Sequence, residues 1–134
     1  MTDRLDGIHG LITGAASGIG AACARRLTRD GAQLLLADLN GDGAKTLADE
    51  LGQASVQADV TRAVDIQRML DLAYQRWGRL DVLFNNAGIA EVRQLLELTE
   101  DEWDRTLAVN LRAVFFMLQG AAKTHASSDA DCGF

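Results

Sequence analysis

The sequence predicts an α/β fold, a doubly wound parallel sheet that stops after its fourth strand and the helix that follows. Strand-like and helix-like patterns alternate from residue 7 to about residue 122. A short apolar run at residues 34–37 is typical of a parallel strand covered on both faces. A glycine-rich turn at residues 13–20 joins the first strand pattern to the first helix pattern. Alternation of this kind favours right-handed crossovers between parallel strands.

Each element follows from an apolar pattern and a residue that begins or ends it. Gly31, Gly52 and Gly78 are placed to end three helices. Thr99 and Glu102 have the spacing of a capping box and predict the start of the fourth helix. In chain order we expect a strand at 7–13, a helix at 18–30, a strand at 33–38, a helix at 42–51, a strand at 55–59, a helix capped by Thr61 and running to about Trp77, a strand at 80–84 and a helix from 100 to about 122.

The last stretch of the sequence differs from the rest. Residues 124–134 are polar and have no helical or strand period. We therefore expect one partial nucleotide-binding domain over residues 1–123, followed by a disordered or loosely attached tail over 124–134.

Composition narrows the possible classes of protein and partner. With 134 residues and 48% hydrophobic residues, the chain can bury the core of one domain and does not resemble a disordered protein. A formal net charge of −6 argues against nucleic acid or an anionic membrane surface as a partner, because both require a basic patch. A nucleotide is still compatible, since its phosphates need only local backbone donors.

The sequence carries no pattern typical of a targeting segment or a metal site. Its first seven residues are charged and lack an apolar core, so we expect no signal peptide, and no apolar stretch is long enough to span a membrane. Cys23 and Cys132 are far apart and have no metal-binding spacing. We therefore expect two free thiols, no metal, and a cytoplasmic location.

The glycine-rich turn has the residues that would hold the pyrophosphate of a dinucleotide. Gly14 permits the sharp turn out of the strand, and Gly18 lets the backbone approach the phosphates. Gly20 lets the helix pack closely on the strand. The backbone N–H groups around Ile19 would point at the phosphates, where the helix dipole contributes roughly 0.3–1 kcal/mol per anionic group.

Asp38 extends this interpretation to the rest of a dinucleotide. It ends the second predicted strand, eighteen residues after Gly20, where an acidic residue accepts hydrogen bonds from the adenosine ribose. Its carboxylate at ~4 Å from a 2′-phosphate would cost up to about 4 kcal/mol at an effective dielectric of 20. Since Leu39 and Asn40 follow rather than arginines, NAD is favoured over NADP. The alternative is a strand-end aspartate that caps a turn.

Two further polar groups follow predicted strands. Asp59, followed by Val60, can accept from an adenine amine, or it can be a turn residue. The segment Asn85-Asn86-Ala87-Gly88 suits a loop that packs beside a nucleotide and braces the sheet, or it makes an Asx turn.

Asn110 falls inside the fourth predicted helix, where asparagine is unfavourable and can bend the helix. We expect it to point toward the body of the fold and to have a hydrogen-bond partner, either as a functional residue or as a satisfied core residue. The residues that share its face are Trp103, Leu107, Val114 and Leu118.

Taken together, residues 5 to about 123 resemble the cofactor-binding half of the classical short-chain dehydrogenase/reductase family, whose fold is Rossmann-like. Thr13-Gly14-x-x-x-Gly18-x-Gly20 matches the family's cofactor motif, and Asn85-Asn86-Ala87-Gly88 its characteristic loop. The resemblance implies hydride transfer between NAD and a secondary alcohol, polyol or ketone. The cofactor-binding residues that it implies are Gly14, Ser17, Gly18, Ile19, Gly20, Asp38, Leu39, Asp59, Val60, Asn86, Ala87 and Gly88.

The chain departs from the family in its catalytic residues. Asn110 matches the helix asparagine of the family's Asn-Ser-Tyr-Lys tetrad, but the catalytic serine and the Tyr-x-x-x-Lys motif are missing. The single tyrosine, Tyr74, is followed four places on by Gly78 rather than by lysine. Asn110 would thus be an orphan member of the tetrad. We expect a truncated or frame-shifted chain that is inactive alone, because no residue would move the substrate proton.

Other functions are compatible with parts of this pattern. The chain can be a non-catalytic NAD-binding or interaction protein that keeps the cofactor half. An S-adenosylmethionine-dependent methyltransferase also uses a glycine turn and a strand-end acid, but the Asn-Asn-Ala-Gly loop and Asn110 speak against it. A P-loop kinase is excluded by the lack of Gly-Lys-Ser/Thr.

The sequence also predicts self-association. The strand at 80–84 would present a bare apolar edge, and the fourth helix is apolar on nearly all sides around Val114, Phe115, Phe116 and Met117. In the resembling family this helix helps to form a dimer interface. We therefore expect a homo-oligomer or an aggregation-prone chain.

Overall fold

A computed structural model describes residues 4–130 and the side chains of residues 4–127. Four parallel strands form one sheet in the order β3-β2-β1-β4. The expected α/β class and parallel sheet are therefore confirmed. The strands are β1 (His9–Thr13), β2 (Gln33–Asp38), β3 (Ala54–Gln57) and β4 (Val82–Phe84).

Helices cover both faces of this sheet. The first face carries α1 and α2, and the second carries α3 and α5. A single turn of π-helix, Ala108–Arg112, joins α4 to α5. The helices are α1 (Gly18–Arg29), α2 (Gly41–Leu51), α3 (Ala63–Trp77), α4 (Glu100–Leu107) and α5 (Ala113–Ala130).

The side-chain alternation of the strands divides the core into two layers. On the first face, Ile12 and Leu36 pack with Leu47 of α2. On the second face, Leu11 and Leu35 pack with residues of α3 and α5, chiefly Met69, Leu70 and Met117. Because Leu34, Leu35, Leu36 and Ala37 are all buried, β2 is covered on both sides, as its apolar run predicts.

Within residues 4–130, β4 lies at one edge of the sheet and pairs only with β1. Its start is fixed by Asp81, whose carboxylate accepts from the backbone N–H of His9 at 2.9 Å and from the Arg79 guanidinium. The Arg79 hydrogen bond, helped by the His9 N–H, lowers the pKa of Asp81 although burial opposes the shift. This pairing sets the register at which β4 enters the sheet.

Most predicted helix boundaries are confirmed, and the start of α3 is not. The residues directly after α1, α2 and α3 are the C-caps Asp30, Gly52 and Gly78, and Gly31 follows Asp30. The expected cap at Thr61 is wrong, because α3 starts two residues later at Ala63, after Arg62. Thr61 instead donates from its N–H and its hydroxyl to the Asp59 carboxylate, which ties it into the turn before the helix.

The region predicted as one helix over 100–122 is three segments, α4, the π turn and α5. The predicted capping box is confirmed: the Thr99 hydroxyl accepts from the Glu102 N–H, and the Glu102 carboxylate accepts from the Thr99 N–H. The bond from the Thr99 N–H lowers the pKa of Glu102, and the bond from the Arg93 guanidinium adds a smaller effect in the same direction. Acidic residues in the first turn also suit the positive end of the helix dipole.

The helix continues beyond its expected end at about residue 122. α5 reaches Ala130, so residues 124–130 are helical rather than irregular, and residues 131–134 of the expected tail lie outside the described residues. The hydroxyls of Thr124 and Ser127 donate to the carbonyls four residues earlier, which lets polar residues join the helix. Among the described residues, no helix has the length and apolarity needed to cross a membrane.

Candidate functional site

A cleft of about 540 Å³ opens at the carboxyl edge of the sheet, where the segments after all four strands meet. Eleven of the twelve residues that the sequence singles out for a cofactor line this cleft. They are Gly14, Ser17, Gly18, Ile19, Asp38, Leu39, Asp59, Val60, Asn86, Ala87 and Gly88. The fold therefore brings together residues that are up to 74 positions apart in the chain.

The glycine-rich turn forms one wall of the cleft. Gly14 and Gly18 both have positive φ values, 64° and 54°, which side-chain-bearing residues rarely adopt. A Cβ at Gly14 would lie 2.8 Å from Cα of Ala87, so the turn also requires the missing side chain. At Gly18 nothing lies within 4 Å of that position, so the backbone faces open space.

Gly20 is the predicted site residue that does not line the cleft. It is buried, and a Cβ there would lie 2.2 Å from the carbonyl oxygen of Gly14 and 2.6 Å from Nδ2 of Asn86. These distances agree with the expected packing role, in which α1 approaches the end of β1 closely. Gly20 supports the wall from behind rather than forming its surface.

Asp38 is held by two backbone bonds. Its Oδ2 accepts from the N–H of Ala16 in the glycine-rich turn at 2.9 Å, and its Oδ1 accepts from the N–H of Asn40 at 2.8 Å. The second bond is the turn-capping role that the sequence left as an alternative. The first bond links the end of β2 to the glycine-rich turn, so the carboxylate has a fixed place in the cleft.

Asp59 has the turn role that the sequence left open, and it also lines the cleft. Its Oδ1 accepts from the N–H of Thr61 at 2.9 Å and from the hydroxyl of Thr61 at 2.6 Å. Its own N–H donates to the buried carboxylate of Asp65 at 2.9 Å. These bonds fix the segment between β3 and α3 against the cleft.

The loop after β4 braces the sheet, as one of its two predicted roles requires. Nδ2 of Asn86 donates to the carbonyls of Thr13 and Gly14 at 3.1 and 3.0 Å. The N–H groups of Asn86 and Ala87 donate to the hydroxyl of Thr13 at 3.2 and 3.1 Å. The ends of β1 and β4 are therefore locked together at the base of the cleft.

Thr13 is the centre of this brace, and the sequence did not single it out as a site residue. It is almost completely buried, and its hydroxyl also faces the Phe84 carbonyl at 3.5 Å. The signal that sequence reasoning did not use is its position: a threonine at the end of a buried strand, directly before a glycine-rich turn. The sequence also missed Ala37, Ala58, Ile89 and Val109 in the cleft wall, and nothing polar distinguishes these residues.

Asn110 lies in the π turn and holds the loop after β4. Its Oδ1 accepts from the N–H of Ile89 at 2.9 Å, and its Nδ2 donates to the Ile89 carbonyl at 2.7 Å. Both ends of the amide are therefore satisfied by one backbone residue, which supplies the expected partner. Asn110 itself is outside the cleft wall, while Ile89 is part of it.

The expected orientation of Asn110 and its helix face is wrong. Asn110 is exposed, and Trp103, Leu107 and Leu118 are also exposed rather than facing the body of the fold. The side of α5 that enters the core instead carries Ala113, Met117 and Gly120. Gly120 packs so closely on α3 that a Cβ there would lie 2.6 Å from the Leu70 side chain.

Among the described residues, the cleft wall contains no tyrosine, histidine or lysine. Tyr74 lies in the last turn of α3, at the end of the sheet opposite the cleft. Within residues 4–130, no three histidine, cysteine, aspartate or glutamate side chains come together as a metal site requires. The polar side chains that line the cleft are the Ser17 hydroxyl, the Asp38 and Asp59 carboxylates and the Asn86 amide.

Comparison with known proteins shows which family this fold belongs to. The family model described as short chain dehydrogenase matches residues 9–130. D-threitol dehydrogenase of Mycolicibacterium smegmatis is 42% identical over 125 residues, which is 90% of this chain and 48% of that protein. Sorbitol dehydrogenase of Cereibacter sphaeroides is 39% identical over 122 residues, again 90% of this chain and 48% of that protein.

Solved structures agree with this comparison. A short-chain dehydrogenase/reductase described as glucose/ribitol dehydrogenase, from Brucella melitensis, superposes with a TM-score of 0.88 at 33% identity, covering 92% of this chain and 54% of that chain. A 3-ketoacyl-(acyl-carrier-protein) reductase from the same organism, complexed with NADH, superposes with a TM-score of 0.81 at 36% identity, covering 86% and 49%. The chain thus spans about half the length of the relatives it matches.

The brace at Thr13 gives a test of how the cleft is held. We expect Thr13→Val to lower the free energy of unfolding by about 1–3 kcal/mol, because the N–H of Ala87 loses its buried acceptor. The control is Thr46→Val, which removes an exposed hydroxyl bonded only along α2 and should change stability by less than about 0.5 kcal/mol. Urea unfolding measures the free energy of unfolding of both variants. Equal losses in Thr13→Val and Thr46→Val would contradict the role of Thr13 in the brace.

Proposed function

We propose, from the premise that this chain belongs to the short-chain dehydrogenase family, that it binds NAD in the cleft at the carboxyl edge of its sheet. The family model that matches residues 9–130 confirms the family resemblance found in the sequence. The family and its NADH-bound neighbour indicate a nicotinamide dinucleotide as the class of cofactor. The choice of NAD and the roles of individual residues are our proposal. The observation that carries it is the meeting of Gly18 and Asp38 in one cleft.

The pyrophosphate is assigned to the glycine-rich turn. Gly18 faces open space, and Ser17 and Ile19 line the cleft on either side of it at the start of α1. The N–H groups of a helix start have no partners within the helix, so they are available to phosphate oxygens. No acidic residue lies in the first turn of α1, so nothing there repels an anion.

The adenosine is assigned to the ends of β2 and β3. Asp38 would accept from the ribose hydroxyls while its bonds to Ala16 and Asn40 hold it in place. Leu39, Asp59 and Val60 complete the wall where the adenine would lie. A 2′-phosphate in place of the hydroxyl would meet the Asp38 carboxylate, which supports NAD over NADP.

The nicotinamide end is assigned to the loop after β4. Asn86, Ala87 and Gly88 line the cleft there, and Asn86 and Thr13 fix their backbone. Asn110 positions the adjoining Ile89 through both of its amide atoms. These residues orient the cofactor's reactive ring rather than take part in proton transfer.

The chemistry of the bound cofactor is hydride transfer to or from a carbon that bears a hydroxyl or carbonyl group. A secondary alcohol, polyol or ketone would be the substrate, and the similarity to D-threitol and sorbitol dehydrogenases favours polyols. Such a reaction also requires an acid or base at the substrate oxygen. The chain has one tyrosine, Tyr74, and it lies at the opposite end of the sheet. We therefore propose that the 134-residue chain holds the cofactor but does not turn over substrate alone.

A second candidate is a non-catalytic NAD-binding or interaction protein. The position of Tyr74 supports this candidate as much as it supports an incomplete enzyme, because in both cases the chain's one tyrosine lies outside the cleft. Oxidation of D-threitol or sorbitol by the purified chain, followed as NADH absorbance, separates a working oxidoreductase from both. Family membership leaves no support for the methyltransferase alternative.

We also propose that copies of the chain associate through the outer side of α5. Phe115 and Leu118 are 56% and 59% exposed there, whereas Met117 is fully buried and takes no part. We expect Phe115→Asp to convert an assembly into monomers, because a charge on this side makes apolar contact unfavourable. Sedimentation at micromolar concentration measures the change. A wild-type chain that is already a single monomer would contradict the proposal.

Gly18 and Gly52 provide a matched test of cofactor binding. Both have positive φ and open space at the Cβ position, so replacement by alanine should cost each a similar ~1–2 kcal/mol of stability. Only Gly18 lies in the cleft. We expect Gly18→Ala to weaken NAD binding by about tenfold or more, equivalent to about 1.4 kcal/mol, and Gly52→Ala to leave it unchanged. Titration calorimetry measures both, and equal affinities would contradict the assigned phosphate site.

Asp38 provides the test of cofactor choice. Asp38→Asn keeps an oxygen for the Ala16 N–H but removes the charge, so we expect the preference for NAD over NADP to fall by about tenfold. Asp49→Asn is the control, since Asp49 is an exposed carboxylate paired with Lys45 on α2. Titrations of each variant with NAD and with NADP give the ratio of the two dissociation constants. An unchanged ratio in Asp38→Asn would overturn the assignment of Asp38 to the ribose.

A further inference from the structure

One charged side chain is buried in the part of the chain that the structure describes, and it lies next to the cleft. Asp65, in the first turn of α3, is 8% exposed and is not part of the cleft wall. It lines a second cavity of about 380 Å³, which shares Leu39, Ala58 and Asp59 with the cleft. A buried carboxylate is destabilising unless hydrogen bonds and opposite charges compensate it. The contacts of Asp65 therefore indicate what its burial accomplishes.

Asp65 reaches past the start of its own helix. It occupies the third position of α3, from which the carboxylate of a capping box accepts from the N–H of the residue before the helix. Here that N–H, of Arg62, donates to the Asp59 carbonyl at 3.0 Å instead. Oδ2 of Asp65 accepts from the N–H of Asp59 at 2.9 Å. The carboxylate thus serves the segment after β3 rather than the end of the helix alone.

That segment carries the carboxylate assigned to the adenine end of the cleft. The N–H of Ala58 donates to the carbonyl of Asp38, the last residue of β2, at 3.0 Å. The N–H of the next residue, Asp59, donates to Asp65 of α3. Two successive residues of the cleft wall are therefore tied to two different elements. Without Asp65, the tie to β2 would remain and the tie to α3 through the Asp59 N–H would be lost.

Arg68 keeps the Asp65 carboxylate in this position. Its Nη2 donates to Oδ1 of Asp65 at 3.1 Å and to the carbonyl of Gln57, the last residue of β3, at 2.5 Å. Nη1 of Arg62 lies 3.8 Å from Oδ2 of Asp65. The two arginines compensate the buried negative charge, while Oδ2 accepts from the Asp59 N–H. The buried carboxylate is therefore both compensated and fixed in orientation.

We propose that Asp65 is a positioning residue for the adenosine end of the cofactor and that it acts through the N–H of Asp59. It fixes the backbone from which the Asp59 carboxylate accepts from the exocyclic amino group of adenine. The inference rests on the proposed NAD site, because it assigns a role within that site. It adds a residue outside the cleft wall that determines how well the site distinguishes adenine from a base without the amino group.

Nicotinamide hypoxanthine dinucleotide tests this role, because it has an oxygen in place of the adenine amino group. We expect the wild-type chain to bind NAD about tenfold more tightly, since the Asp59 carboxylate accepts from an amino group but not from a carbonyl. Asp65→Ala removes the acceptor of the Asp59 N–H and should reduce this preference to about twofold or less. Titration calorimetry with both dinucleotides measures the preference. A structural loss alone would weaken both by the same factor and leave the preference unchanged.

Asp65→Asn and Asp71→Ala are the matched controls. Asparagine keeps an oxygen for the Asp59 N–H, so Asp65→Asn should retain the preference to within about twofold of the wild-type value. Asp71 is an exposed carboxylate on the same helix that accepts from Gln67 one turn earlier, so Asp71→Ala should leave the preference unchanged. An unchanged preference in Asp65→Ala would overturn the inference. An equal loss in Asp65→Asn and Asp65→Ala would overturn it as well, because the charge rather than the hydrogen bond would then act.

Arg68→Ala keeps the test decisive if Asp65→Ala fails to fold. The Arg68 side chain is half-exposed, so the fold tolerates its loss, but the Asp65 carboxylate is then drawn toward water and away from Asp59. We expect the preference for NAD to fall by about threefold, and an unchanged preference would overturn the inference.

Failure of the proposed function has a different result. A wild-type chain that binds neither dinucleotide would contradict the NAD site itself, and this inference with it. A wild-type chain that binds both equally well would leave the NAD site in place and overturn only the role of Asp65, because no contact to the adenine amino group would then need positioning.

Discussion

The close approach of α1 to the end of β1 is the constraint on which the cleft depends. Gly20 lies so near the carbonyl of Gly14 that even a methyl group would overlap it. The same space is used by the Asn86 amide, which donates to the carbonyls of Thr13 and Gly14. A strand, a helix and a loop are therefore joined at one point without a large side chain between them. This junction directs the start of α1 at the cleft and lets the loop after β4 form the opposite wall.

The position of this junction follows from the order of the strands. β1 lies between β2 and β4, and the chain leaves it toward β2 and returns on its other side at β4. At such a reversal the segments after neighbouring strands diverge, which opens a crevice at the carboxyl edge. Here the crevice is lined by polar groups that are already bonded to the backbone: Asp38 to Ala16, and Asp59 to Thr61. The site is thus held in its shape by the protein's own hydrogen bonds, which lowers the cost of ordering it when a ligand binds.

The sequence predicted the features that depend on local rules. Glycines ended the helices where expected, and Thr99 with Glu102 formed the capping box, because both act within one turn. The set of cleft residues came from the resemblance to the family's cofactor motif and loop, and the ends of parallel strands share one edge of the sheet, which agrees with it. Two of the failures required distant contacts. The π turn at Asn110 forms with a bond to Ile89, twenty-one residues away, and the buried side of α5 is chosen by the tight packing of Gly120 on Leu70. Neither contact leaves a periodic signal in the chain.

Asn110 links these observations to function. An exposed asparagine at a helix irregularity would ordinarily be free to change its bonds, yet here both amide atoms are held by the backbone of Ile89. Ile89 belongs to the cleft wall. The π turn therefore fixes the backbone beside the place where we propose that the reactive ring of the cofactor lies. We propose that in this chain the residue acts as a positioning group for cofactor binding. That role does not need a tyrosine or a lysine nearby, so the Asn110 amide can be satisfied beside a cleft whose wall, among the described residues, contains neither.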